Sequence, residues 1–133
     1  MNSTEKTEYT LLHVEDSPEI QELVRYILTS RPSIKVISAE TVAEGVQQAK
    51  KHQPDLVLMD VHLPDGSGMD ALKQMQAFKE TANIPVVALS SLATQLQIEE
   101  GLKEGFKYYI TKPIDVPEFL ETVDRILDSA VKR

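Results

Sequence analysis

Apolar and polar positions along the chain follow two alternating periods. Short apolar runs at Tyr9–Val14, Ile34–Ser38, Leu56–Asp60, Ile84–Leu89 and Phe106–Thr111 are bounded by turn or charged residues and read as strands. Between them, apolar residues recur every three or four positions and predict helices. Ile20, Leu23, Val24, Ile27 and Leu28 mark the first, which Ser17 caps, Pro18 opens and Arg31-Pro32 ends. Val42, Val46 and Ala49 mark the second, behind a capping box of Thr41 and Glu44. Leu72, Met75 and Phe78 place a third over 69–79, with less regular spacing. The fourth starts at Thr94 and carries Leu96, Ile98 and Leu102, with Gly101 inside it and Gly105 as its C-cap. Phe119, Leu120, Val123, Ile126 and Leu127 make the last strongly amphipathic, behind an Asp115–Glu118 box with Pro117 in the first turn.

Strand therefore alternates with helix five times, with no linker or low-complexity segment. That order predicts one α/β domain over 9–130: a parallel sheet with right-handed crossovers and helices on both faces. Residues 1–8 are polar and expected to be a disordered tail. The length of 133 residues suits a single domain with a sizeable core. Composition narrows the chemistry. The absence of cysteine excludes disulfides, thiolate metal sites and thiol nucleophiles. A net charge of -7 argues against binding nucleic acid or an anionic membrane. No apolar run reaches the length of a membrane span, and the N-terminus lacks the apolar core of a signal peptide, so a cytoplasmic location is expected.

In open parallel sheets the functional crevice lies outside the carboxyl ends of the strands. Here those ends carry Glu15-Asp16, Asp60, Ser90 and Lys112, and only the second strand ends without a candidate group. Three converging carboxylates repel one another unless a cation is present. An all-oxygen set in an open, hydrated site suits Mg²⁺. A carboxylate nucleophile beside a hard cation and an ammonium fits formation of an aspartyl phosphate, with the Ser90 hydroxyl donating to a phosphoryl oxygen. The Pro64-Asp65-Gly66-Ser67-Gly68 loop leaves the Asp60 strand sharply, so the His62 carbonyl can serve as a further metal ligand. No Ser-His-acid set suggests acyl transfer, and no Gly-rich Lys-Ser/Thr loop suggests nucleotide binding.

Val14-Glu15-Asp16, Asp60 with Leu63-Pro64-Asp65-Gly66-Ser67-Gly68, Leu89-Ser90 and Tyr109-Ile110-Thr111-Lys112-Pro113 occur in one order and spacing. Together they make the chain resemble the receiver domain of two-component response regulators, chemotaxis-regulator-like, from about Tyr9 to about Leu127. The resemblance implies a flavodoxin-like, doubly wound, three-layer fold with strand order 2-1-3-4-5. It implies that Asp60 accepts a phosphoryl group from a histidine kinase or histidine phosphotransfer protein. Mg²⁺ (or Mn²⁺) would be held by Asp16, Asp60 and the His62 backbone carbonyl, with Glu15 helping through water. Lys112 would contact the phosphoryl group, Ser90 would sense it, and Tyr109 would be the aromatic switch. A cis bond is implied before Pro113. The surface of helix 4, strand 5 and helix 5 would meet a downstream protein or a second copy, and no external turnover is expected. Three positions depart from the common pattern: Glu15 stands for an aspartate, Ser90 for a threonine and Ser91 for a still smaller residue.

Each residue also has a plainer role. Asp60 alone would be a strand-end cap, Glu15-Asp16 favourable charges at a helix start, Ser90 a helix cap and Lys112 a solvated lysine. Tyr109 is a static aromatic or a switch; His62 overhangs the site or faces solvent. His13 is expected as a buried, hydrogen-bonded core residue, and Asp65 as a turn former. Two other functions remain open: a degenerate receiver that binds a partner constitutively, and a Mg²⁺-dependent phosphohydrolase of similar fold. The latter commonly places an acid where His62 stands. The chain is a stand-alone receiver or a piece of a larger regulator or hybrid kinase.

Overall fold

The run Leu56–Asp60 has no polar alternation, and in the computed structural model all five residues are buried, as the central strand of a two-sided sheet requires. The structure describes residues 8–91 and 93–131, so the expected tail lies outside the described residues apart from Glu8. Counting the main sheet only, its strands are β1 (Tyr9–Val14), β2 (Ile34–Ala39), β3 (Leu56–Asp60), β4 (Val86–Ser90) and β5 (Tyr108–Thr111). All pair in parallel, in the order β2-β1-β3-β4-β5. The helices are α1 (Pro18–Leu28), α2 (Val42–His52), α3 (Gly68–Gln76), α4 (Gln95–Glu104) and α5 (Val116–Val131). This is the three-layer, flavodoxin-like arrangement.

Successive strand residues point to opposite faces, and the core divides accordingly. Leu11, Leu56, Leu58 and Leu89 meet Val24 and Ile27 of α1 and Phe119 and Val123 of α5. Their neighbours Leu12, Val14, Val57 and Met59 meet Val46 of α2 and Leu72 and Met75 of α3 on the other side. The sheet is thus covered twice, and its carboxyl edge is the place left for polar groups.

Some expectations shift. Leu23 and Phe78 have the right spacing but are exposed, and Phe78 lies beyond α3 with Lys50 Nζ 3.8 Å from its ring centre. Ile84, Pro85 and Phe106 precede their strands; Pro85 has no N–H to give a ladder. The expected Thr41–Glu44 box is half made. Glu44 N–H donates to Thr41 Oγ1, but the Glu44 carboxylate accepts from Glu40 N–H instead. A reciprocal box does form at Ser67 and Asp70, opening α3 earlier than the apolar spacing predicts. On α4 only Gly101 is buried, while Leu96 and Leu102 face solvent.

The loop after Asp60 folds into a small antiparallel hairpin pairing His62–Leu63 with Gly66–Ser67. Gly68 closes it against the main sheet. A Cβ there would lie 2.6 Å from the Asp60 carbonyl oxygen, so only glycine fits.

Candidate functional site

The strand ends are fixed by hydrogen bonds that extend the sheet by one residue. Glu15 N–H donates to the Ala39 carbonyl (2.8 Å), Val61 N–H to Leu89 (3.1 Å) and Lys112 N–H to Ser90 (2.8 Å). Glu15, Asp16, Asp60, Ser90 and Lys112 therefore leave a rigid edge rather than mobile loops. Carboxylate oxygens of Glu15, Asp16 and Asp60 all lie within 4.8 Å of one another. Glu15 and Asp60 are buried, whereas Asp16 is exposed and leaves the cluster open to solvent on its side.

Lys112 reaches into this cluster. Its Nζ lies 3.2 Å from Glu15 Oε1 and 3.7 Å from Asp60 Oδ2. One ammonium is shared by two buried acids. Burial pushes the Glu15 carboxyl up to about 7, and the charge and hydrogen bonding of Asp60 add to the rise. Lys112 opposes that rise without cancelling it. An excess of negative charge packed into oxygen donors, with an open side, fits a hard divalent cation. Asp16, Asp60 and Glu15 are the side chains able to hold it. The His62 N–H donates to Asp60 Oδ1 (3.2 Å), tying the hairpin to the acid, and the His62 side chain is exposed. Ser17 N–H donates to Glu15 Oε2 (3.3 Å), and the buried Gln21 amide donates to the Glu15 carbonyl.

Ser90 is fully buried as the last residue of β4, beside Thr111 in register. The peptide bond between Lys112 and Pro113 is cis. Tyr109 is half-buried. Its ring stands edge-on to Phe106, with centroids 6.3 Å apart at 82°, and packs where Gly101 of α4 leaves room.

Two residues depart from their expected roles. His13 is buried, as its apolar strand implies, but it is not hydrogen-bonded: neither ring nitrogen has a partner. Burial, helped by the charges of Lys112 and Arg25, lowers its pKa to about 3, so the ring is neutral. Asp65 does more than shape a turn. Its carboxylate accepts from Val42 N–H (2.7 Å) and Ala43 N–H (3.1 Å) and so caps α2 from a hairpin more than twenty residues away. Those bonds hold its carboxyl below the usual range. No local signal marks this contact, although the Ser67-x-x-Asp70 spacing was there to be read.

The profile of the response regulator receiver domain matches residues 11–124. The polar-differentiation response regulator DivK of Brucella ovis is 33% identical over 121 residues, covering 91% of this chain and 98% of the relative. Among solved structures, the receiver domain of sensor histidine kinase PA1611 from Pseudomonas aeruginosa is similar, with a TM-score of 0.82 and 27% identity. The match covers 91% of this chain and 98% of that one, which carries a magnesium ion in its active-site cleft. The response regulator domain of Thermotoga maritima CheB is also similar (TM-score 0.80, 29% identity, 91% and 97% covered).

Proposed function

The chain belongs to the response regulator receiver domain family, and we propose that Asp60 is its phosphoacceptor in a two-component phosphorelay. Such domains signal and are not metabolic enzymes. One observation carries the reading: a buried aspartate at the end of the central strand shares an ammonium with Glu15 and lies in a 4.8 Å acidic cluster with Glu15 and Asp16.

An Asp60 carboxylate oxygen attacks the phosphorus of a phosphohistidine on a histidine kinase or histidine phosphotransfer protein. The P–N bond breaks as the P–O bond forms, and the leaving imidazole ends neutral, taking a proton from solvent if it departs as the anion. Negative charge accumulates on the phosphoryl oxygens, and the site must neutralise it in a partly buried place. Asp16, Asp60 and the His62 carbonyl, with Glu15 assisting through water, would hold Mg²⁺, which would supply positive charge against that build-up. Lys112 turns from its shared position toward the phosphoryl group. The Ser90 hydroxyl donates to a phosphoryl oxygen, which couples the new group to β4. Tyr109 on the neighbouring strand then repacks, and the surface of α4, β5 and α5 changes its affinity for a downstream partner or a second copy. That surface exposes Leu96, Leu102, Tyr108 and Val116. Among the described residues no helix is long and apolar enough to cross a membrane.

The test is intact-mass spectrometry after incubation with acetyl phosphate. One phosphate should add in the presence of Mg²⁺, and none with a chelator or in Asp60→Asn. Absence of a Mg²⁺-dependent adduct with several small phosphodonors would sink the reading.

A further inference from the structure

We propose that His13 is a positioning residue that takes over the Glu15 carboxylate when Lys112 is drawn to a phosphoryl group on Asp60. The inference rests on the phosphoacceptor reading above. His13 is fully buried on β1, and neither Nδ1 nor Nε2 has a hydrogen-bond partner. Leaving a buried polar group unsatisfied is destabilising. Its neighbours on the strand are Leu11, Leu12 and Val14, so an apolar residue would fit the pattern at lower cost. A state in which the bond is made would account for a histidine at this position.

The geometry names that state. His13 precedes Glu15 by two residues, which puts both side chains on one face of the strand. Its Nε2 lies 3.9 Å from Glu15 Oε1, the same oxygen that Lys112 Nζ contacts at 3.2 Å. One carboxylate oxygen thus faces two nitrogens, and only the ammonium is at bonding distance. That ammonium is also 3.7 Å from Asp60 Oδ2. A phosphoryl group on Asp60 adds charged acceptor oxygens and draws Lys112 across. Glu15 Oε1 would then lose its donor in a buried place while Oε2 keeps the Ser17 N–H, at a cost that favours a replacement within reach of Oε1. The neutral His13 ring keeps one N–H, and on Nε2 it donates to Glu15 after an approach of about 1 Å. His13 is unsatisfied in the resting state and satisfied in the phosphorylated one, so it biases the equilibrium toward the latter.

The test uses the full chain labelled with ¹⁵N-histidine, with and without Mg²⁺ and beryllium trifluoride, a stable mimic of the phosphoryl group. Long-range ¹H–¹⁵N spectra report the tautomer of each of the three histidines, and the signal lost in His13→Gln identifies His13. The expected result is an Nε2–H tautomer whose ring proton moves downfield on loading. In parallel, His13→Leu should weaken beryllium trifluoride binding by roughly 10-fold, the scale of lost outer contacts at a metal site. Mg²⁺ binding to the unloaded protein should change less, and His13→Gln, which keeps a donor, should recover most of the loss. An Nδ1–H tautomer, a ring proton indifferent to loading, or a His13→Leu protein that binds the mimic as wild type does would overturn the proposal. If beryllium trifluoride perturbs nothing in the wild-type protein, the phosphoacceptor reading itself fails, and this inference with it.

Discussion

Strand β3 has an aspartate at each end, and the two are built for opposite purposes. Asp55, just before the strand, is part of a closed exchange with Thr10. Thr10 N–H donates to Asp55 Oδ2, and Asp55 N–H donates to the Thr10 carbonyl, both at 2.8 Å. Its charge is spent on the backbone of β1. Asp60, at the other end, sits among two more acids and half-shares one lysine. The amino edge of the sheet ties its acid to backbone, while the carboxyl edge is held in excess negative charge that a bound cation would relieve. Stability and function are therefore separated along five residues of one strand.

Exchanging the two aspartates for neutral groups should break the comparison most visibly. Asp60→Asn should lose the whole Mg²⁺-dependent phosphate adduct and, in chelator, unfold at a higher urea concentration than wild type, because one of the repelling charges is gone. Added Mg²⁺ should narrow that gain. A next effect concerns Glu15, whose carboxyl is raised from 4.5 to about 7. For an acid with a raised folded-state value, the stabilising contribution is complete below 4.5 and is lost as pH rises through about 7. Metal-free protein should thus lose stability over that window, by on the order of a few kcal/mol. Urea midpoints measured against pH in chelator would show the slope, and saturating Mg²⁺ should flatten it.

The amino edge should respond in the opposite sense. Asp55→Ala should cost about 1–3 kcal/mol by leaving the Thr10 N–H without its partner, while the phosphate adduct forms as in wild type. The smallest effect is expected at Asp65, which caps α2 from the surface. Asp65→Ala should lower the melting temperature by a few degrees at neutral pH. Because its carboxyl is depressed, the stabilisation is present above its ordinary value of 3.8 and fades as pH falls through the lower folded value, so the two melting curves should converge in acid.

The edge was readable in advance where local pattern decides structure. Five apolar runs, each closed by a polar group, placed Asp60, Ser90 and Lys112 at strand ends, because a buried parallel strand has no other place for them. What stayed hidden depends on contacts distant in the chain. Asp65 caps α2 only because the His62–Ser67 hairpin folds back over it, which no spacing encodes. Leu23 and Phe78 carry the right helical phase, but spacing does not tell how wide a face the neighbouring elements cover. Sequence placed His13 inside the sheet correctly. It could not show that Lys112 would already occupy the oxygen His13 faces, since that meeting joins residues almost a hundred positions apart.

The most direct test locates the phosphate. Protein treated with acetyl phosphate and Mg²⁺ is reduced with borohydride, which converts an aspartyl phosphate to homoserine, then digested and mapped by mass spectrometry. Conversion is expected at Asp60 alone and is lost when Mg²⁺ is withheld. Conversion at Asp16 or Asp55, or a peptide containing unmodified Asp60 beside a phosphorylated protein mass, would contradict it.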